Sequence, residues 1–88
     1  MSTNAIYPGT FDPITYGHIN ILEKASRLFD KVILSVAAYT DKETLFSLQE
    51  RYKLCLESVK HIPNVEVYTF EGLAVDFAHS QNCTVMIR

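Results

Sequence analysis

Apolar residues recur along the chain at two spacings that alternate from one end to the other. Three segments carry apolar side chains every three or four positions, as a half-buried helix does, and short apolar runs flank each of them. The predicted strands are residues 4–7, 31–38, 65–70 and 84–87. The predicted helices start at 15–18 and end at 29, start at 47 and end before 63, and cover 73–81. This alternation with short connections predicts an α/β fold: a Rossmann-like parallel sheet with right-handed crossovers.

The side chains within these segments predict which faces are buried. The second strand is apolar almost throughout, which indicates a strand covered on both faces, as in parallel sheets. The fourth strand is apolar as well and is expected in the sheet interior. Ile21 and Leu28 are expected to widen the apolar stripe of the first helix, and Leu73 is expected on the apolar side of the third. The second helix starts with a capping-box pattern, SLQE at 47–50.

Composition narrows the class of protein. The 88 residues make one small domain at most, and a net charge of −2 without a basic cluster argues against nucleic-acid binding. The longest apolar stretch, residues 32–39, is too short to span a bilayer, and no signal-like segment follows Met1. A cytoplasmic protein without membrane association is therefore expected. Cys55 and Cys83 lack the spacing of a metal or redox motif and are expected to be buried free thiols.

Residues suited to anion binding follow the predicted strands. Ligands of open parallel sheets bind beyond the carboxyl ends of the strands. Thr10 and His18 follow the first strand, Lys42 follows the second, and Arg88 follows the fourth. A hydroxyl and three potential cations therefore converge at one edge of the sheet. His18 also lies at the start of a helix, where free N–H groups and the helix dipole favour phosphate.

Structural roles remain open for the same residues. His18 could be a solvent-facing cap residue, Thr10 could hydrogen-bond within its turn, and Lys42 could be a solvated surface lysine. Gly9 and Gly17 would let the backbone approach a ligand closely. Residues expected in purely structural or solvent-facing roles are Asp12 in an Asx turn, Glu50 and Arg51 in helix capping and surface pairing, His61 and His79.

Two neighbouring motifs resemble those of a known enzyme family. PGTFDP at residues 8–13, followed by TYGH at 15–18, is similar to the signature of the HxGH nucleotidyltransferases. Within that superfamily, Thr15 at the first His position is typical of the phosphopantetheine adenylyltransferases. The similarity covers nearly the whole chain, and its further matches are FDKVIL at 29–34, Lys42, LQER at 48–51, NVEV at 64–67, GLAVDFA at 72–78 and IR at 87–88.

The resemblance implies transfer of the AMP moiety of ATP to 4′-phosphopantetheine, which gives dephospho-coenzyme A and pyrophosphate. Mg²⁺ would bridge oxygens of ATP, and no protein metal site is expected. Two alternatives stay open. The chain could use another acceptor, as in nicotinamide-mononucleotide adenylyltransferases or cytidylyltransferases, although Thr15 argues against both. It could also be a non-catalytic module that binds phosphopantetheine or coenzyme A.

The resemblance also implies a set of site residues. His18 would bind the nucleotide phosphates and stabilise the transition state. The expected ATP-binding residues are Thr10, Phe11, Gly17 and His18, and the expected substrate-binding residues are Thr10, Lys42, Ala74 and Arg88. Two positions depart from the family pattern. Thr44 stands where the lysine loop often has proline, and Ala74 replaces a Leu or Met, which would thin the wall along the pantetheine arm.

By this resemblance, residues 1–88 are expected to form the N-terminal half of a nucleotidyltransferase domain. A Ser/Thr-rich phosphate-binding motif and the rest of an Arg-Gly motif would follow Arg88. The chain by itself is therefore expected to bind phosphopantetheine or coenzyme A weakly and to lack adenylyl transfer, because catalysis by positioning is lost steeply when groups are missing. The resemblance further implies a homohexamer.

Overall fold

Four parallel strands and three helices alternate along the chain in the computed structural model, which describes residues 3–40 and 43–88. The strands are β1 (Asn4–Gly9), β2 (Lys31–Ala37), β3 (Val65–Phe70) and β4 (Val85–Met86). The helices are α1 (Tyr16–Leu28), α2 (Leu48–Val59) and α3 (Ala74–Ser80). The strand order is β3-β2-β1-β4, so the predicted Rossmann-like α/β fold is confirmed. Among the described residues, no helix is long and apolar enough to cross a membrane.

Helices cover both faces of the sheet. On one face, Leu22 of α1 and Cys55 of α2 pack in a cluster with Val32, Leu34 and other apolar residues. On the opposite face, Ala78 of α3 packs with a second cluster built on β1 and β2. The five residues from Val32 to Val36 have no exposed surface, as a nearly continuous apolar run predicts for a strand covered on both sides, and the polar Ser35 is buried with them.

The strand order reverses beside β1. The crossovers through α1 and α2 carry the chain outward to β2 and then β3, whereas the crossover through α3 returns it past β1 to β4. Such a reversal opens a crevice at the carboxyl ends of the strands. The loop after β1 and the first turn of α1 lie at this crevice, which is where the sequence predicts the phosphate-binding residues.

Some burial predictions are wrong. Ile21 and Leu28 are 38% and 77% exposed, because α1 contacts the sheet along the narrower line of Leu22 and Ala25. Leu73 is 67% exposed, since it is the N-cap residue before α3 and lies outside the helical stripe. The fourth strand was expected in the sheet interior, but β4 pairs with β1 at one end of the strand order.

The two cysteines are free thiols in different surroundings. Cys55 has no exposed surface and Cys83 is partly buried. Burial raises the pKa of the Cys55 thiol to about 11, although the positive charge of Arg51 opposes this shift. Burial also raises the pKa of the Cys83 thiol, against the opposing charge of Lys31. Both thiols are therefore held in the neutral form.

Candidate active site

The loop after β1 folds back over its own strand. Phe11 adopts a positive φ of 50°, and its side chain is only 4% exposed. The Phe11 ring meets the rings of Tyr7 and His18 edge-on, with centroid distances of 5.4 Å and 5.0 Å. Gly9 makes room for this fold, because a Cβ there would lie 3.0 Å from two atoms of the Phe11 ring. The structure therefore gives Gly9 a packing role beside the expected ligand-approach role.

Phe11 is predicted to bind ATP, and its burial limits how it can do so. Only 4% of the residue is exposed and Phe11 does not line the pocket described below, so its ring is not presented to a ligand there. In the described part of the chain, the Phe11 N–H donates no hydrogen bond. Such a donor suits an anion that lies in the crevice.

His18 completes a capping box at the start of α1. The Thr15 N–H donates to Nδ1 of His18 at 3.0 Å, and the His18 N–H donates to Oγ1 of Thr15 at 3.4 Å. Because Nδ1 accepts a backbone N–H, the neutral ring carries its proton on Nε2. The rings of Phe11 and Tyr7 hold the imidazole from its edges. His18 thus caps the helix and also presents an oriented Nε2–H donor, so the cap role is confirmed and the phosphate role stays a prediction.

A pocket of about 630 Å³ opens at the carboxyl ends of β1, β2 and β3. Its described lining consists of Pro8, Gly9, Thr10, Asp12, Ala37, Tyr39, Thr40, Glu43, Thr44 and Phe70. Thr10 is therefore placed in the pocket, as predicted. His18 does not line this pocket but lies beyond Phe11, at the N-terminus of α1.

The remaining predicted site residues are more scattered. Lys42 lies outside the described residues, although Thr40 and Glu43 on either side of residues 41–42 line the pocket. Ala74 is the first residue of α3, and Gly17 lies in the first turn of α1. Arg88 is exposed two residues beyond β4, and the Ile87 N–H extends the β1 pairing with a 2.8 Å bond to the Ile6 carbonyl. Ala74, Gly17 and Arg88 lie towards the carboxyl edge of the sheet, but they do not line the pocket with Thr10.

Asp12 connects the loop after β1 to the segment before α2. Its carboxylate accepts hydrogen bonds from the N–H groups of Leu45 at 2.6 Å and Phe46 at 2.9 Å. The sequence predicts an Asx turn, in which the Asp12 side chain bonds to the backbone of its own turn. In the structure its partners lie more than thirty residues away along the chain. Asp12 is thus an anchor between the two loops that border the pocket.

Arg51 is buried beneath the same two loops, and the prediction of surface pairing is wrong. It is 2% exposed, although Glu50 beside it is exposed and caps α2 as predicted. The backbone and side-chain hydrogen bonds from Ser47 lower the pKa of the Glu50 carboxyl. The sequence does contain a signal for Arg51. It stands four and eight residues before Cys55 and Val59, on the buried stripe of α2.

The two other histidines have the structural and solvent-facing roles expected of them. Nε2 of His61 lies 2.9 Å from a carboxylate oxygen of Glu23, which joins the end of α2 to α1 on the surface. His79 is exposed on α3. Neither residue approaches the pocket lining.

Comparison with known proteins assigns the chain to a family that has this fold. The family model described as cytidylyltransferase-like matches residues 6–88, and the chain belongs to this family. Within it, the chain is 49% identical over all 88 residues to the phosphopantetheine adenylyltransferase of Nautilia profundicola. It is 53% identical over the same length to the phosphopantetheine adenylyltransferase of Proteus mirabilis strain HI4320. The chain spans about half the length of these curated relatives, 57% and 55% respectively.

A distant solved structure supports the fold alone. The nicotinic acid mononucleotide adenylyltransferase of Plasmodium falciparum, complexed with NaAD, superposes with a TM-score of 0.73 at 20% identity. The match covers 93% of this chain and 46% of that protein.

Proposed function

We propose that the protein transfers the adenylyl group of ATP to 4′-phosphopantetheine and releases pyrophosphate. The observation that carries this proposal is the identity of about half of all positions to curated phosphopantetheine adenylyltransferases. A phosphate oxygen of phosphopantetheine attacks the α-phosphorus of ATP. The bond from that phosphorus to the bridging oxygen of the β-phosphate breaks, and dephospho-coenzyme A and pyrophosphate form. The protein supplies positioning and charge stabilisation rather than a covalent intermediate.

His18 and Thr10 serve the transferring phosphate in this proposal. The Nε2–H of His18 is a donor whose orientation is fixed by the Thr15 cap and by the Phe11 and Tyr7 rings. A preorganised donor of this kind stabilises charge that develops in a transition state. Thr10 lines the pocket immediately after β1, and the Phe11 N–H, which donates no hydrogen bond within the described residues, offers ATP a further donor.

The acceptor-binding residues are Lys42, Ala74 and Arg88. Lys42 draws the attacking phosphate into place, and Ala74 and Arg88 contact the pantetheine substrate. Gly17 lets the nucleotide approach the first turn of α1. Mg²⁺ enters as the ion of the ATP substrate, bound mainly through the nucleotide and water. The resemblance also supports a homohexamer. Use of ATP as the substrate supports a reaction in the cytoplasm.

The test measures pyrophosphate release by the complete protein from ATP and 4′-phosphopantetheine, with dephospho-coenzyme A identified by mass. ATP replaced by CTP, and phosphopantetheine replaced by nicotinamide mononucleotide, are the matched controls. Activity only with CTP would assign cytidylyl transfer, and activity only with nicotinamide mononucleotide would assign the other acceptor. Tight phosphopantetheine binding in calorimetry without turnover would assign a binding module, and native mass spectrometry of the same sample tests the hexamer.

A further inference from the structure

The guanidinium of Arg51 joins three backbone segments that meet behind the pocket. Nη1 donates to the carbonyl oxygens of Thr10 at 3.0 Å and Ala37 at 2.9 Å, and Nε donates to the carbonyl oxygen of Phe46 at 3.2 Å. These carbonyls belong to the end of β1, the end of β2 and the segment before α2. An apolar side chain could fill this space without the cost of burying a cation. An apolar side chain, however, could not donate to the three carbonyl oxygens. These three bonds therefore explain why an arginine stands here.

The segments that Arg51 holds also form the pocket. Thr10 and Ala37 are part of its lining, and Phe46 lies two residues beyond the lining residue Thr44. The Phe46 residue is held at both polar groups, since Asp12 accepts from its N–H and Arg51 donates to its carbonyl. Arg51 and Asp12 thus fix the relative position of the loops on either side of the pocket.

The bond to the Thr10 carbonyl also sets the direction of the next N–H. In a trans peptide the carbonyl and the N–H point in opposite directions. With the Thr10 carbonyl directed at Arg51, the Phe11 N–H is directed away from it. That N–H donates no hydrogen bond within the described residues.

We infer that Arg51 is a positioning residue of the phosphate site: it fixes the Thr10–Phe11 peptide and the loop before α2 in the geometry that adenylyl transfer requires. This inference rests on the proposed function. Displacement of the groups that position a substrate lowers kcat steeply even when the changed residue is remote from the chemistry. The guanidinium also places a permanent positive charge behind the site.

The kinetic test compares Arg51→Met, Arg51→Lys and the control Lys53→Met in the complete protein. Lys53 is exposed on the same helix, so its replacement removes one positive charge while the hydrogen bonds of Arg51 to the loops stay in place. We expect Arg51→Met to lower kcat by roughly 100-fold while KM for ATP changes by less than about threefold. Arg51→Lys should recover part of this loss, because one ammonium can replace Nη1 but not Nε as well. Lys53→Met should stay within about twofold of the parent.

If Arg51 only stabilised the fold, its replacement would lower the amount of folded protein but not the kcat of the folded protein. Assays are run at a temperature where near-UV circular dichroism shows each variant fully folded, so a lower concentration of active protein cannot imitate the effect. A kcat of Arg51→Met within about threefold of the parent would overturn the inference. An equal loss in Arg51→Met and Arg51→Lys, with KM rising in parallel, would overturn it too.

Amide hydrogen exchange tests Arg51 without reference to turnover. We expect Arg51→Met to speed exchange at Leu45 and Phe46 by about tenfold or more, with Leu34 in β2 as the internal reference for global opening. Unchanged exchange at Leu45 and Phe46 rejects the inference. If the parent protein shows no adenylyl transfer, the proposed function fails and exchange alone decides the role of Arg51. If Arg51→Met does not fold, Arg51→Lys carries both measurements.

Discussion

Replacement of His18 can separate its two contributions, helix capping and phosphate binding. His18→Ala removes the acceptor for the Thr15 N–H and the Nε2–H donor together. His18→Glu keeps a cap, because glutamate at the third position of a helix is the partner that a capping box prefers. It also places a negative charge near the helix N-terminus, which stabilises the helix but repels a phosphate. The two variants should therefore differ in stability and agree in lost activity.

The expected stability changes follow from the contacts of the ring. His18→Ala loses one hydrogen bond to Thr15, worth about 1 kcal/mol, and edge contacts with Phe11 and Tyr7, worth about 0.5–1.5 kcal/mol for a pair. Because the ring is only partly buried, we expect a loss of roughly 1–2 kcal/mol in the free energy of unfolding. For a domain of this size that lowers Tm by about 5–15 °C. His18→Glu keeps the cap and should lose less than about 1 kcal/mol.

The expected loss of activity is much larger. Removal of one preorganised donor lowers kcat by roughly 10²–10³-fold. His18→Glu should lose at least as much as His18→Ala, while the dissociation constants of both substrates change far less in His18→Ala. Pyrophosphate release and urea unfolding are measured on the same preparations. Equal destabilisation by the two variants would refute the capping role, and turnover within about twofold of the parent would refute the phosphate role.

Three further predictions follow from single residues. Lys42→Ala should weaken phosphopantetheine more than ATP in calorimetry and weaken dephosphorylated pantetheine far less; equal weakening of the two pantetheine ligands would reject the role. Gly9→Ala should cost about 1–3 kcal/mol in the free energy of unfolding, since its Cβ would crowd the Phe11 ring, whereas Gly17→Ala should be neutral or stabilising by up to about 1 kcal/mol. The pKa of the Cys55 thiol is raised to about 11 from 9.0. The folded chain therefore keeps this proton where the unfolded chain loses it. Stability from Cys55 is full below about pH 9 and falls as the pH rises towards 11, and Cys55→Ala should show a smaller pH slope in urea unfolding.

Local signals predict much of the fold. β3 occupies the residues expected for the third strand, and the capping box at Ser47 and Glu50 starts α2 as the pattern indicates. Each of these features depends on neighbouring residues only: apolar spacing for the strand, and side chains three positions apart for the cap. The alternation of strands and helices then fixes a parallel sheet, and the parallel sheet fixes the edge where the site lies.

The interior of the site depends on contacts that no local pattern contains. The carbonyl of Thr10 meets Arg51 from 41 residues away, and the carboxylate of Asp12 meets Phe46 from 34 residues away. In the first turn of α2, the adjacent charges of Glu50 and Arg51 suggest surface residues, although the spacing of Arg51 with Cys55 places it on the buried stripe. A charged residue in a buried stripe is the sequence signal that Arg51 has a special role. The role itself cannot be predicted locally, because its partners come from β1, β2 and the loop before α2.

The loop that contains Thr44 shows how the structure replaces one constraint by another. The phosphopantetheine adenylyltransferases, which this chain resembles, often have proline at this position. Proline would stiffen the loop by fixing φ. Here the stiffening comes from outside the loop, because the Asp12 carboxylate accepts from the N–H groups of Leu45 and Phe46, immediately after Thr44. Each is a charge-assisted bond, roughly twice as strong as a neutral one. Since Asp12 lies in the loop after β1, the order of the loop before α2 depends on the motif that also carries Thr10. The two sides of the pocket are therefore joined through the Asp12 carboxylate.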